Sequence, residues 1–515
     1  MTDRLPGGKA GISVEPELVL SRLTAAGLSG RWIGGLPAAL TGFHTDSRRI
    51  EPGDLFCAIP GTVVDGHAYI PQAVDRGASA CVTERETERE LDDLPVPLLV
   101  TPDARRAASH LASLFAADPG RDLRLVGVTG TNGKTSTVLL LQHLLSPIGT
   151  SAALGTLGVW PEHAAAESDA GDGAASTTGM TTTGMTTPGP VELMAELERI
   201  RLRGTRLLAM EVSSHALDQR RTDALEFECA VFTNLTHEHL NYHTGMSDYR
   251  AAKLHLAALL APGGTAVVCA DEPAWRDADF GGHRVVTFGF APEADVRALD
   301  IRTGLRGSQF RLSAHGQVTD VELPLLGAVN VVNALGAVAA ALAMGLEGDL
   351  AELLASMSQI PGRMEVLALE PGLIVRDYAH TADAMARGTA AMRKLTAGRA
   401  MVLFGCGGDR DRGKRSQMGS AAAEGADLLL VTEDNPRSED LARIIADIVS
   451  GLPEDAYEVV LDRRQAIQRG IELLGPGDSL LLAGKGHETY QIVNGEKRPF
   501  DEPAIVAEIL GQNTS

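Results

Sequence analysis

Short apolar runs recur along the chain, with helix-compatible stretches between them. In the first part, Asp54 to Ile59 and Ala80 to Thr83 read as strands and Ala104 to Ala117 as a helix, before a break at Pro119-Gly120. A new apolar run, Leu123 to Val128, leads into a glycine-rich turn and then a helical pattern from about Lys134 to Leu145. That is the strand, loop, helix unit of an α/β domain. Strand-like runs return at Leu207 to Val212, Ala230 to Thr233 and Ala266 to Ala270, and the alternation predicts a mainly parallel sheet flanked by helices. Pro361-Gly362 interrupts the rhythm, which restarts with Leu373 to Asp377, Ala400 to Phe404, Leu428 to Thr432 and Ser479 to Ala483. This last part has the pattern of a Rossmann-like domain without a glycine fingerprint for a dinucleotide. The breaks divide the chain into residues 1–122, 123–361 and 362–515, matching the three or so domains expected of 515 residues.

One stretch follows neither rhythm. Residues 164–190 are low in complexity, with Thr-Thr-Gly-Met at 177–180 and nearly again at 182–185. It reads as a flexible surface insertion, except for its end at Thr186-Thr187-Pro188. Composition adds few constraints. Apolar residues at 44% and charged residues at 22% are ordinary for a soluble protein that buries its cores without disulfides. A net charge of −21 without a long basic run argues against nucleic-acid or membrane-surface binding, while leaving room for a local phosphate pocket. Cys57, Cys81, Cys229, Cys269 and Cys406 are odd in number and form no C-x-x-C pair, so buried thiols in a reducing compartment are expected. The N-terminus has no apolar signal region and no run is long enough to span a bilayer, so the expectation is a cytoplasmic protein without membrane insertion.

The strongest local signal is Gly130-Thr131-Asn132-Gly133-Lys134-Thr135-Ser136, set between an apolar strand and a helix. In such a loop the backbone N–H groups and the helix N-terminus cradle phosphates. Lys134 would reach the β- and γ-phosphates, and the Thr135 hydroxyl would bind Mg²⁺. The strict G-x-x-x-x-G-K-[ST] spacing is not met, because Val128 stands at the first glycine position and Gly127 lies one residue early. A glycine turn with a chance Gly-Lys-Thr is the plainer alternative. Strand, loop and helix agree against it. No Asn-Lys-x-Asp guanine signature is present, which weakens a regulatory nucleotide switch or nucleotide-binding module.

The run Val126 to Ser136 resembles the ATP loop of the Mur ligases, and further runs match that family in order. They are Thr45 to Arg48, Glu211 to His215, Thr233 to His243, Ala251 to Lys253, Pro361 to Glu365, Asp377 to Asp383, Gly405 to Arg415, Asp434 to Arg437 and Gly484 to Glu488. The ordered set is similar to the UDP-N-acetylmuramoyl-tripeptide synthetase (MurE-type) branch. The resemblance implies three α/β domains, for UDP, ATP and amino acid, the central one a P-loop ATPase and the last Rossmann-like. It implies an ATP- and Mg²⁺-dependent, amide-forming enzyme acting on small molecules and expected to be monomeric. A substrate carboxylate becomes an acyl phosphate, which an amine then attacks. The Asp434-Asn435-Pro436-Arg437 run resembles that of the branch members that add meso-diaminopimelate to UDP-muramoyl-L-Ala-D-Glu.

The same resemblance implies roles. Lys134, Glu211, His239 and Lys253 are the catalytic candidates, and Thr135, Glu211, His239 and Lys253 the metal set. Lys253 matches a carbamylated lysine; a free ammonium would be repelled by Mg²⁺, whereas a carbamate offers the oxygens that Mg²⁺ prefers. Asn330 and Asn333, just before a helix, match positions near adenine, and Asp377 and His380 lie near ATP. Thr45, Ser47, Thr62, Val63 and Val64 match contacts with UDP. Thr186, Thr187, Ser213, Gln219 and Arg221 match contacts with the muramoyl dipeptide. Arg410, Asp434, Asn435, Pro436, Arg437, Gly484 and Glu488 match the amino-acid pocket. Each has a plainer reading: His239 as a structural histidine, Lys253 as a solvated helix lysine, Thr45 to Arg48 as a loop with an internal Asp-Arg pair, and the asparagines as caps.

Some positions depart from the branch. His237-Glu238 precedes the metal histidine where a residue-Asp pair is commoner, Asn241 stands where Asp is usual, and Ala382 replaces a proline. These leave room for a paralogue that joins a different amine or carboxylate, whether L-lysine-adding or in secondary metabolism. A folylpolyglutamate synthase is disfavoured, since that family lacks the N-terminal UDP domain.

Overall fold

The computed structural model describes residues 13–61, 64–84, 94–161, 185–239 and 242–511. Its chain divides into two compact units, Met1–Leu235 with His239–Thr287 and Gly336–Glu347, and Thr236–Glu238 with Phe288–Leu335 and Gly348–Ser515.

In the first unit, α1 (Pro16–Ala25), β1 (Arg31–Ile33), β2 (Gly42–His44), β3 (Asp54–Cys57), α2 (Ile70–Asp75), β4 (Ala80–Thr83), β5 (Leu98–Val100) and α3 (Ala104–Phe115) come first. The strands order β1-β5-β4-β3-β2, with only β1 antiparallel to its neighbour. Every residue of β3 and β4 is buried, as expected of parallel strands covered on both faces. Asp103 starts α3 by accepting the Arg106 N–H at 2.9 Å. Ser109, one turn on, donates to the Arg221 carbonyl at 3.1 Å and accepts from the Ala224 N–H at 3.0 Å.

The sheet that follows uses β6 (Arg124–Thr129), α4 (Lys134–Leu145), β7 (Ser151–Gly155), β8 (Gly158–Trp160), α5 (Pro190–Leu202), β9 (Leu207–Glu211), α6 (Ser214–Asp218), β10 (Phe227–Phe232), α7 (Met246–Leu254) and β11 (Leu260–Cys269). Its order through this unit is β11-β10-β6-β9-β7-β8, parallel except for the final β7–β8 pair. β6 is therefore central. Register pairs Val128 with Glu211 on one side and Thr129 with Phe232 on the other, so three strands end together at the glycine-rich turn. All five cysteines are buried free thiols. Among the described residues no helix is long and apolar enough to cross a membrane.

After β12 (Arg284–Gly289) the chain forms an antiparallel meander that the strand-helix alternation did not foretell: β13 (Val296–Gly304), β14 (Gly307–Ala314) and β15 (Gln317–Leu323). His315-Gly316, at φ 51° and 77°, makes the β14–β15 turn with the positive dihedrals that match strand twist. The helix α8 (Gly327–Ala343) corrects the expectation for Asn330 and Asn333, which lie within it rather than before it. The reason is local. Asn330 donates to the Leu326 carbonyl four residues back at 3.0 Å and accepts from the Asn333 amide at 3.3 Å. The pair satisfies itself inside the helix instead of capping it.

The C-terminal part contains α9 (Leu350–Ala355), β16 (Glu365–Ala368), β17 (Leu373–Asp377), α10 (Ala382–Leu395), β18 (Ala400–Phe404), α11 (Gly413–Ala423), β19 (Leu428–Val431), α12 (Leu441–Val449), β20 (Tyr457–Val459), α13 (Arg463–Leu473), β21 (Ser479–Ala483), β22 (Tyr490–Val493), β23 (Glu496–Pro499) and α14 (Glu502–Ile509). Six strands order β16-β17-β21-β18-β19-β20, all parallel but β16, while β22 and β23 form a separate hairpin. Ala382 is the first residue of α10, behind the cap Thr381. Proline is tolerated there but not required, so its absence costs this helix little.

Arg463 and Glu502 form an ion pair at 2.8 Å with neither side chain exposed. The same guanidinium donates to the carbonyls of Ala483 at 2.9 Å and Glu433 at 3.3 Å. Removing one partner strands a buried charge. We expect Arg463→Met to destabilise the chain by about 3–5 kcal/mol, and Arg463→Met/Glu502→Met to recover most of that loss, in urea unfolding. A single variant as stable as the parent would show the pair to be dispensable.

Candidate active site

The loop between β6 and α4 is held from behind by the end of β10. The Asn234 side chain pairs with the Asn132 backbone both ways, accepting from its N–H at 2.9 Å and donating to its carbonyl at 3.1 Å. The Thr131 N–H donates to the Asn234 carbonyl at 2.8 Å, and Thr233 donates to the Asn132 carbonyl at 2.8 Å. Gly130, at φ 148°, has no room for a Cβ, which would strike the Thr233 hydroxyl. Gly127, the glycine out of register, packs against Phe227 and Leu256 inside the sheet and has no part in the loop. Gly133 at φ 86° opens α4, and Thr135 and Ser136 are buried in its first turn. Lys134 curls back, donating to the carbonyls of Gly130 and Thr131 at 2.9 Å each. Lys253, buried on α7, donates to the same Gly130 carbonyl at 2.8 Å and lies 4.4 Å from the Tyr249 ring centre.

Glu211 ends β9 with its carboxylate buried beside this loop. It accepts from the Thr156 N–H at 2.8 Å and the Thr156 hydroxyl at 3.2 Å. The neighbouring Gly155 is free of a Cβ that would collide with that carboxylate. From here one network gathers the whole dipeptide set. Thr156 donates to Thr186 at 3.3 Å, and buried Thr187 donates to the Glu211 carbonyl at 2.9 Å while accepting from the Ser213 N–H at 3.1 Å. Arg221 donates to the Thr187 carbonyl at 2.7 Å and to Gln219 at 2.6 Å. Burial lowers the Arg221 pKa from its ordinary value, which marks a partly desolvated cation. Of the Thr-Thr-Gly-Met repeats only Met185 is among the described residues.

His239, at φ 58°, meets His215 edge-on at 4.7 Å, and His215 in turn lies 4.2 Å from Tyr242. Burial first, then the charges of His239 and His243, lower the His215 pKa to about 4, so this imidazole is neutral at physiological pH. Among the described residues no three His, Cys, Asp or Glu side chains gather as a metal cluster. The donor set fits a hard cation in another way. The Glu211 carboxylate and Thr135 hydroxyl are oxygen donors near the phosphate loop, and a carbamate on Lys253 would add a third.

In the N-terminal part, buried Ser47 donates to Gln72 at 2.6 Å and Thr45 is half-buried. Asp46 and Arg48 form the internal ion pair of the plainer reading, at 2.7 Å and largely exposed. Val64 is exposed, while Thr62, Val63 and Asn241 lie outside the described residues.

The second unit brings Asp434, Asn435, Gly484 and Glu488, all from the expected amino-acid set, close together. Asn435 donates to Glu488 at 2.8 Å, and Gly484 (φ 109°) lies so near Asp434 that a Cβ would stand 2.6 Å from its carboxylate. Burial, then the charge of Asp434, raises the Glu488 pKa. Pro436 is buried and Arg410 exposed. Arg437, at φ 53°, donates to the Gly408 carbonyl at 2.7 Å, so one arm of its fork is fixed by the protein. Asp377 accepts from the Met364 N–H at 2.8 Å, and burial raises its pKa. His380 bonds the Tyr378 carbonyl at 2.8 Å, and Asn330 and Asn333 lie on α8.

Residues 40–116 match the catalytic domain of the Mur ligase family, 128–341 the Mur ligase middle domain and 362–486 the Mur ligase glutamate ligase domain. The chain belongs to the Mur ligase family. Among relatives of this family, a protein of Xanthomonas campestris pv. campestris (strain 8004) is 41% identical over 485 residues, 92% of this chain and 94% of its own. One of Syntrophomonas wolfei is 37% identical over 489 residues, 93% and 96% of the two chains. Both are named UDP-N-acetylmuramoyl-L-alanyl-D-glutamate–2,6-diaminopimelate ligase. A solved structure of that same name is 30% identical with TM-score 0.65, covering 97% of this chain and 99% of its own. MurF of Thermotoga maritima, solved with ADP, shares the fold at 18% identity and TM-score 0.58 over 91% and 96% of the chains. The fold is thus the three-domain α/β architecture of Mur ligases, with a central P-loop domain and a Rossmann-like C-terminal one.

Several site members of this Mur ligase went unnoticed in the sequence. Asn234 and His215 stood inside quoted motifs but carried no local signal of their own. Thr156 is 55 residues from Glu211, and only the β7–β9 pairing brings them together. Buried histidines also give a pH expectation. Burial, mainly, lowers His44 and His487 from 6.5 to about 4 in the folded chain. An unfolded chain takes up those protons below 6.5, so folding stability should fall as pH drops from 6.5 towards 4. Thermal melts across that range should show the fall, and His44→Gln should flatten it; an identical slope in the variant would contradict the assignment.

Proposed function

We propose that this chain is an ATP-dependent ligase that adds meso-2,6-diaminopimelate to UDP-N-acetylmuramoyl-L-alanyl-D-glutamate in peptidoglycan precursor synthesis. The observation that carries the reading is the near-full-length likeness, at 37–41% identity, to relatives named for this activity. The gathered Asp434, Asn435, Arg437 and Glu488 supply the matching chemistry. Residues 1–122 take the uridine diphosphate through Thr45, Ser47 and the Thr62 to Val64 turn, 123–361 hold ATP, and 362–515 hold the amine. The protein acts as a cytoplasmic monomer.

In this reading the loop amides and Lys134 bind the ATP phosphates, and the Thr186, Thr187, Ser213, Gln219 and Arg221 network binds the dipeptide so that its terminal carboxylate meets the γ-phosphate. The carboxylate oxygen attacks phosphorus and ADP leaves. The diaminopimelate amine then attacks the acyl carbon, and phosphate leaves from the tetrahedral intermediate. Positioning and charge neutralisation dominate such phosphoryl transfer. Thr135, Glu211, His239 and a carbamate on Lys253 would hold Mg²⁺, which would neutralise phosphate charge. Asp377 and His380 lie by the nucleotide, as do Asn330 and Asn333 by adenine. Arg437 takes the distal carboxylate of diaminopimelate, with exposed Arg410 a second cation for it, and Glu488 takes the distal ammonium.

The reading is tested by ADP release with UDP-muramoyl dipeptide and a panel of amino acids. Turnover requiring both co-substrates supports it; nucleotide binding without amine-dependent turnover refutes it. Lys134→Ala should lose at least about 10²–10³-fold in kcat, the scale of one well-placed charge-stabilising group. A folded variant with parental kcat would remove Lys134 from the reaction.

Lys253 carbamylation forms an N–C bond to CO₂ with loss of a proton. Lys253→Ala should be nearly inactive and partly rescued by small carboxylates. Full activity in CO₂-depleted buffer, with mass spectrometry and crystallography showing a bare amine, would count against the carbamate.

The amine preference is the third expectation. Diaminopimelate carries a second carboxylate where lysine has only an ammonium, and an arginine fork attracts the first and repels the second. The charged hydrogen bond is worth roughly 1.5–3 kcal/mol, or about 10- to 150-fold in selectivity. Wild type should prefer diaminopimelate over lysine in kcat/KM, and Arg437→Ala should lose most of that ratio. A preference for lysine refutes the substrate, and an unchanged ratio refutes the role of Arg437 alone.

A further inference from the structure

Behind the amino-acid pocket lies a lysine that no step above uses. Lys485 has no exposed surface, and its ammonium donates to the Tyr490 carbonyl at 2.8 Å and to Asn435 Oδ1 at 3.3 Å. It stands 3.7 Å from the Glu488 carboxylate and 4.0 Å from that of Asp434. Asn435 Oδ1 also accepts the Ile492 N–H at 2.9 Å. With two donors on its oxygen, the Asn435 amide can point only its nitrogen at Glu488, which it does at 2.8 Å. An amide turned the other way would set oxygen against ammonium-free carboxylate and nitrogen against Lys485.

The charges follow the same order. Asp434 and Glu488 are two carboxylates in one partly buried site, and the Asp434 charge adds to burial in disfavouring the ionisation of Glu488. Lys485 supplies one positive charge from inside the protein, so the trio carries a net charge of about −1, and Arg437 brings the pocket to neutrality. A neutral pocket with separated ends matches a zwitterionic amino-acid head. The other charged or titratable groups facing this pair are Arg463 and Glu502 behind Lys485, and Tyr378 and Tyr490 beside Glu488.

Resting on the ligase reading above, we infer that Lys485 is a positioning residue for the incoming amine: its buried ammonium fixes the Asn435 amide and keeps the Glu488 carboxylate aimed and ionised to receive the substrate ammonium. It touches no substrate itself.

Two variants separate charge from shape. Lys485→Gln keeps a donor for the Tyr490 carbonyl and drops the charge, and Lys485→Met drops both. The full-length variants are assayed by ADP release, with KM measured for diaminopimelate, ATP and UDP-muramoyl dipeptide from pH 6.5 to 9. The amine KM should rise about 10- to 100-fold in both, the scale seen when a group that orients a site ligand is removed. kcat at saturating amine and the other two KM values should stay within about twofold. The added amine KM should shrink as pH rises, because Glu488 without its cation protonates more readily and recovers its charge only at higher pH. An amine KM within twofold of wild type in either folded variant overturns the inference. So does a uniform loss across all three substrates, a pH-independent defect, or failure of both variants to fold, since each makes Lys485 purely structural. A wild-type protein with no amine-dependent turnover refutes the ligase reading instead, before any variant is compared.

Discussion

One carbonyl oxygen, that of Gly130, receives two ammonium groups. Lys134 reaches it from the first turn of α4 and Lys253 from α7. Like charges brought to one acceptor repel, and the low dielectric around buried Lys253 makes that repulsion larger than it would be in water. The loop is thus built around concentrated positive charge, joined by the partial charge of a helix N-terminus. Such a site favours anions, and both the phosphates of a nucleotide and a carbamate on Lys253 answer that demand. Much of the surrounding bonding keeps this loop in shape: the Asn234 amide on Asn132, the Thr233 hydroxyl on the Asn132 carbonyl, and a glycine at 130 because nothing larger fits.

The counterweight is Glu211, paired in register with Val128 on the neighbouring strand, at the same end of the sheet as the loop. Its carboxylate is tied by Thr156, and its carbonyl by Thr187, so the acid is positioned through both its side chain and its main chain. Thr187 passes the connection to Arg221, and the Arg221 carbonyl is held by Ser109 on α3. A single run of hydrogen bonds therefore links the end of a central strand to α3.

The parts of this that could be read from the sequence are those with local signals. A strand, a glycine turn and a helix gave the loop its context because each is set by neighbours in sequence. Glu211, at the end of an apolar strand, was singled out through the resemblance of its Glu211 to His215 run to the family. The meander from Val296 to Leu323 was missed although β14 alternates buried and exposed positions, since the reading sought strands separated by helices. Asn330 and Asn333 were misplaced because asparagine usually signals a boundary, whereas here Asn333 donates to Asn330 and Asn330 to the Leu326 carbonyl within α8. Thr156 and Lys485 had no chance of standing out. Their places exist only after β7 pairs with β9, and after the β22–β23 hairpin brings Tyr490 to Lys485 and Ile492 to Asn435.

The backbone around Asp434 to Arg437 shows what such long-range assembly costs. Asp409 and Arg437 hold φ of 55° and 53°, a left-handed region that non-glycine residues adopt at about 1–2 kcal/mol each. Both stand where a backbone must turn sharply to aim a side chain. The strain persists because neighbouring bonds over-determine it: the Arg437 N–H donates to the Ile492 carbonyl at 3.0 Å, and its own carbonyl accepts from Asn494 at 2.7 Å. Arg463 adds the deeper constraint, binding the carbonyls just before Asp434 and Gly484 at once. The two segments, Asp434 to Arg437 and Gly484 to Glu488, are thus fixed to one buried guanidinium.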